Sequence, residues 1–118
     1  MTFITLQLYE LNYKRIERFE DIIAWQKAKV HTIQIYKLFE QSKDYGLKDQ
    51  IQRASVSIMN NIAEGFERKG NKEFSHFLYI AKGSCGEVRS MLILAKELKK
   101  LSDREADELT SLAEGFQW

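Results

Sequence analysis

The chain has 118 residues, enough for one domain with its own core and too few for two. Charged residues make up 30% and hydrophobic ones 44%, which excludes a disordered chain, while a net charge of +1 falls far short of a dedicated basic binder. There is no proline to break helices, and a lone cysteine, Cys85, excludes an internal disulfide and points to a reducing compartment.

The opening "MTFITLQLYELNY" has neither the basic start of a signal peptide nor the apolar run of a membrane span, so a cytoplasmic protein is expected. Ile4, Leu6 and Leu8 alternate as in a strand, while Leu8, Leu11 and Ile16 also fit a helix. Residues 1–18 are therefore read as an amino-terminal extension of unassigned conformation, and residues 19–118 as the domain.

A first helix is predicted over about Glu20 to Gln41, with Ile22, Ile23, Ile33, Tyr36 and Phe39 near helical spacing. The turn residues "SKDYG" follow. A second helix spans about Leu47 to Phe66, its core stripe Leu47, Ile51, Ala54, Ile58 and Ile62, with Gly65 and Gly70 punctuating its end. Asn71 is the expected N-cap of a third helix running to about Lys100. Phe74, Phe77, Leu78, Ala81, Ser84, Cys85, Val88, Met91, Leu92, Ala95 and Leu98 form its stripe, with Cys85 read as a small buried hydrophobe. Ser102 and Glu105 are spaced as a capping box for a fourth helix, whose apolar face is Ala106, Leu109, Leu112, Ala113 and Phe116. Short connections make consecutive helices antiparallel, which predicts an all-α, up-down-up-down four-helix bundle.

Charge is segregated along the chain. Residues 103–118 hold one base and five acids, leaving 17 bases and 12 acids elsewhere. Lys69, Lys72, Lys82, Arg89 and Lys96 are the candidate phosphate contacts, the last three recurring every seven residues on one face of the third helix.

The second helix carries the most unusual pattern. Beside its core stripe runs a wholly polar one, Gln50, Arg53, Ser57, Asn61, Glu64 and Arg68, and further round lie Val56, Met59 and Ala63. Apolar residues there leave the helix without a plainly solvated side, and an apolar sector beside a polar stripe points to contact between subunits. Gly83 and Gly86, with Ser90 on the same side of the third helix, allow another helix to come close, from within the bundle or from a neighbour.

Catalytic patterns fail on inspection. "GFERKGNK" has Asn71 where a phosphate loop needs lysine, and no strand precedes it. Glu73 and His76 make one Glu-x-x-His, but His31 has Ala28 where the second glutamate belongs, so neither a metal nor another cofactor is expected. No base near Cys85 would activate it. No catalytic residue is assigned and the chain is read as a non-enzyme.

"FEDIIAWQKA", "LKDQIQRASVSIMNNIAEG" and "ERKGNKEFSHFLYIAKGSCGE" together resemble the bacterial 23S rRNA intervening-sequence proteins over about residues 19–101. The resemblance implies a small all-α bundle without established enzyme activity. It also implies kinship with retroelement accessory proteins, which form ring-like homopentamers that contact nucleic acid and a reverse transcriptase. The expected partners are therefore further copies of this chain, RNA or DNA, and a polymerase-like protein. The extension before residue 19 and the short last helix depart from the family pattern. That short helix leaves part of the core open to a neighbouring subunit or to the amino-terminal segment.

Overall fold

The computed structural model describes residues 16–68 and 70–116. Among them are four helices, α1 (Ile23–Leu38), α2 (Tyr45–Glu67), α3 (Asn71–Glu97) and α4 (Asp103–Glu114), and no strand. The two readings offered for the amino-terminal extension lie largely outside the described residues.

A 3-10 turn, Phe19–Asp21, precedes α1, with the Ile22 N–H donating to the Phe19 carbonyl at 2.9 Å. It delays the helix by three residues from the expected start. Phe19 packs edge-on against Trp25, ring centroids 5.1 Å apart.

The inward face of α1 differs from expectation. Ala24, Ala28, His31, Thr32 and Ile35 are buried, while Ile23, Ile33 and Tyr36, three of the apolar residues near helical spacing, are exposed. Two alanines keep the inward side thin, and Thr32 satisfies its hydroxyl locally, with Oγ1 2.8 Å from the Ala28 carbonyl oxygen and 3.1 Å from that of Ser55 on α2.

Asp44 caps α2, its carboxylate accepting from the Leu47 N–H at 3.2 Å, so the helix starts two residues earlier than expected. Gly65 does not end α2. It is buried inside the helix, where an added Cβ would sit 2.6 Å from Phe77 Cβ, and its missing side chain lets α3 approach. At the head of α3 the capping position belongs to Gly70, in the left-handed region at φ 101°, and Asn71 is the first helical residue.

The end of α3 is a Schellman turn. The Lys100 N–H donates to the Ala95 carbonyl and that of Lys99 to Lys96, with Lys99 at φ 57°. The capping box at α4 forms as predicted, Ser102 Oγ accepting from the Glu105 N–H and Glu105 Oε1 from the Ser102 N–H, both at 3.1 Å.

All four helices contribute to one buried cluster, centred on Ile35, Ile51, Ile58, Ile62, Leu78, Val88, Leu92 and Leu109. The broadest joint is α2 against α3; the α1–α4 seam is the thinnest of the helix-to-helix contacts.

Candidate assembly surface and its polar stripe

The polar stripe of α2 divides into a half-buried part and an exposed part. Ser57 and Asn61 are half-buried. Ser57 Oγ lies 2.9 Å from Ser84 Oγ, and the Asn61 amide donates to Ser57 Oγ at 2.9 Å and to the Ser57 carbonyl at 2.8 Å. This network closes on itself, so it can fix the register of α2 on α3 without a ligand.

Gln50, Arg53, Glu64 and Arg68 are exposed. Arg53 pairs with Asp49 at 2.9 Å, and Arg68 pairs with Glu64 at 2.9 Å while its guanidinium lies 5.3 Å from the centre of the Phe77 ring. The hydrogen bond that Arg68 donates to Glu64 raises the Arg68 pKa above its ordinary value. Pairs this exposed contribute little, so stability alone gives little reason for them.

Behind the stripe, Val56, Met59 and Ala63 are half-buried, and Met59 packs on the edge of the core. A shallow groove joins Arg53, Val56, Ser57, Asn61 and Glu64 with Asn60 and, from α1, Tyr36. The structure therefore collects most of the predicted stripe at one surface. Tyr36, one of the residues near helical spacing in α1, is exposed and stands four residues from buried Thr32, at the α1–α2 rim.

On the outer side of α3, Gly83 and Gly86 are exposed, and a Cβ built on either meets nothing within 4 Å. Of the two expectations for these glycines, close approach within the bundle is thereby removed. Tyr79, Ile80, Ile93 and Leu94 stand exposed on the same outer side, Tyr79 by 59%.

The predicted basic residues do not act as one set. Lys72 and Lys82 are exposed, and Lys69 lies outside the described residues. Lys96 reaches Asp107 on α4 at 2.8 Å and Arg89 faces Glu114 at 3.7 Å. The Asp107 hydrogen bond raises the Lys96 pKa above its ordinary value. Two of the acids of α4 thus meet bases of α3 within the molecule.

Cys85 is buried, its thiol 3.5 Å from the Ala113 carbonyl oxygen. Glu73 and His76 are exposed, and no group of three or more His, Cys, Asp or Glu side chains comes together among the described residues. Nor is any described helix long and apolar enough to cross a membrane.

The family model for the 23S rRNA-intervening sequence protein matches residues 20–117. Among solved structures, a protein of unknown function from the S23 ribosomal protein family of Bacteroides thetaiotaomicron superposes with a TM-score of 0.75 at 20% identity, covering 80% of this chain and 92% of that one. No curated protein matches the chain by sequence.

Proposed function

The chain belongs to the 23S rRNA-intervening sequence protein family, and from that premise we propose a non-enzymatic scaffold that assembles into a homo-oligomer, a pentamer, and associates with RNA or DNA in the cytoplasm. Its domain, residues 19–118, is an antiparallel up-down-up-down bundle. The pairings support that topology: Ser57 with Ser84 and Gly65 with Phe77 across one joint, Lys96 with Asp107 and Arg89 with Glu114 across another. In each joint a higher number on one helix meets a lower number on the next.

The observation that carries the assembly reading is the outer side of α3. Two interior glycines cost up to about 1 kcal/mol each in helix propensity, and among the described residues nothing approaches them. Flanking apolar side chains make the same face a contact surface for another helix. The groove around Arg53, Ser57, Asn61 and Glu64, with Val56, Met59 and Ala63 behind it, supplies the complementary face.

For nucleic acid, Lys72 and Lys82 offer phosphate contacts, joined by Lys69 from the α2–α3 connection and, at the cost of their pairs with α4, by Arg89 and Lys96. Light scattering is expected to give five times the 13.9 kDa protomer mass; a protomer-sized particle overturns the scaffold. Affinity for an RNA hairpin or a DNA duplex is expected to fall at least about tenfold between about 50 and 200 mM salt, the signature of two or more phosphate contacts. An affinity insensitive to salt rules out the nucleic-acid half of the proposal.

One observation favours a second reading, docking of a protein such as a reverse transcriptase with no nucleic-acid contact. Arg89 and Lys96 are already paired with α4, which thins the basic face. A partner protein that stays bound through nuclease and high salt, with no RNA or DNA binding by the chain itself, selects that reading.

A further inference from the structure

The seam between α1 and α4 is the thinnest joint of the bundle, and an open groove of about 360 Å³ runs along its outer side. Val30 of α1 and Leu112 of α4 flank it, 51% and 49% exposed, so its apolar walls are within reach of whatever lies outside. Past Gln34 and Leu112 a shallower depression carries the groove on to Leu38. Along α1, the distance from Gln26 to Leu38 is about 18 Å. An apolar crevice of that length, left open by a short fourth helix, is a surface built to be covered.

The chain that precedes α1 arrives at one mouth of this groove. Gln26, which lines that end, donates from Nε2 to the Glu20 carbonyl at 2.9 Å and so ties the 3-10 turn to the groove's rim. Four residues earlier Ile16, the first described residue, packs at the edge of the core. Residues 1–15 include Phe3, Ile4, Leu6, Leu8 and Leu11, and their single acid is Glu10. The lining residue Lys27 is the one charge on the stretch from Gln26 to Gln34, and it forms no ion pair among the described residues. The link from Leu11 to Glu20 reaches up to about 30 Å, ample for a return along the seam. A second copy must find the groove from solution, whereas the chain's own first residues are tethered beside it at high effective concentration.

We propose that the α1–α4 groove is the docking surface for the chain's own stretch Phe3–Leu11, whose apolar side chains cover Val30 and Leu112 and whose Glu10 answers Lys27. The surface stands apart from the α2 groove and the α3 glycine face, and its fate is independent of the scaffold reading.

Hydrogen exchange of the full chain, read by mass spectrometry, gives the first test. Amides of residues 3–11 are expected to exchange at least about tenfold more slowly than in a free peptide of the same sequence. Val30→Asp and Leu112→Asp, each at a half-exposed position, should return them to the peptide rate while the amides of α2 and α3 keep theirs. Disulfide trapping gives the second, with native Cys85 buried and out of the way. Leu8→Cys combined with Leu112→Cys is expected to close within one chain under glutathione disulfide, and Leu8→Cys with Ile93→Cys, on the outer side of α3, is not. Peptide-like exchange in the unaltered chain overturns the proposal. So does protection that both aspartate variants leave intact, since the stretch is then held elsewhere. Closure between chains assigns the groove to a second copy and defeats the proposal. Failure to close at Leu112, the result expected if Gln117 and Trp118 fill the groove, defeats it equally.

Discussion

At single positions, two small residues decide how closely α2 is approached. Gly65 is tolerated in mid-helix because any side chain would run into Phe77 Cβ, and that contact brings α3 onto α2 near its end. Ser55 is the opposite case. It is fully buried, its carbonyl oxygen lies 3.1 Å from Thr32 Oγ1, yet its own hydroxyl has no partner. A buried hydroxyl without a partner costs about 1–3 kcal/mol, more than the small void left by removing one oxygen. Ser55→Ala is therefore expected to raise stability by about 1 kcal/mol in urea titration, with the slope against denaturant unchanged. A loss of stability would mean that the hydroxyl is satisfied in solution. The sequence marks Ser55 as unusual, a polar residue in an apolar repeat, but not as orphaned, because that depends on what α1 and α3 bring against it.

At the scale of the helix, α4 is a short acidic element held by few contacts. Asp107 and Glu114 are seven residues apart and meet Lys96 and Arg89, also seven apart, so the pairs lie along one line between α3 and α4. Towards α1, the described tie is the bond from His31 Nε2 to the Leu109 carbonyl. Burial lowers the His31 pKa below its ordinary 6.5, and the Leu109 carbonyl only partly opposes this. The sign follows directly. The unfolded chain takes up the proton near pH 6.5 while the folded chain resists it, so stability is complete above pH 6.5 and falls as the pH drops below it. Exposed Lys27 and uncharged Ser111, Leu112 and Gly115 line the groove beside His31. Urea titrations at pH 7.5 and pH 5.5 are expected to show this loss, and His31→Phe should largely flatten it; the same slope in that variant would assign the effect to other groups. Helix existence was legible in the apolar stripes of α2, α3 and α4, and the cap of α4 in Ser102 and Glu105. The inward face of α1 was not, because Ala24, Ala28, His31 and Thr32 look less hydrophobic than the exposed Ile23 and Ile33. The pairing of α3 bases with α4 acids was also hidden, since seven-residue spacing names a face but not what it meets.

For the molecule as a whole, the proposed assembly and the stability of one chain make opposite demands on α3. In a solitary chain Gly83 is a liability: it sits inside a helix, is exposed, and has open space where a side chain would go. Leucine there improves helix propensity by up to about 1 kcal/mol and disturbs no contact among the described residues. Against a neighbouring helix packed on the glycines, the same side chain is too large, and overpacking costs about 1–3 kcal/mol at each copy of the contact. Gly83→Leu is therefore expected to lower the mass measured by light scattering towards one protomer while the dissociated chain melts at an equal or higher temperature. That combination separates an assembly surface from a folding defect, since a misfolded variant would lose mass and stability together. If the particle keeps its full mass with leucine in place, the neighbour does not pack on these glycines, and the interface lies instead on the groove around Arg53, Asn60 and Tyr36, where the apolar sector of Val56, Met59 and Ala63 would have to carry it.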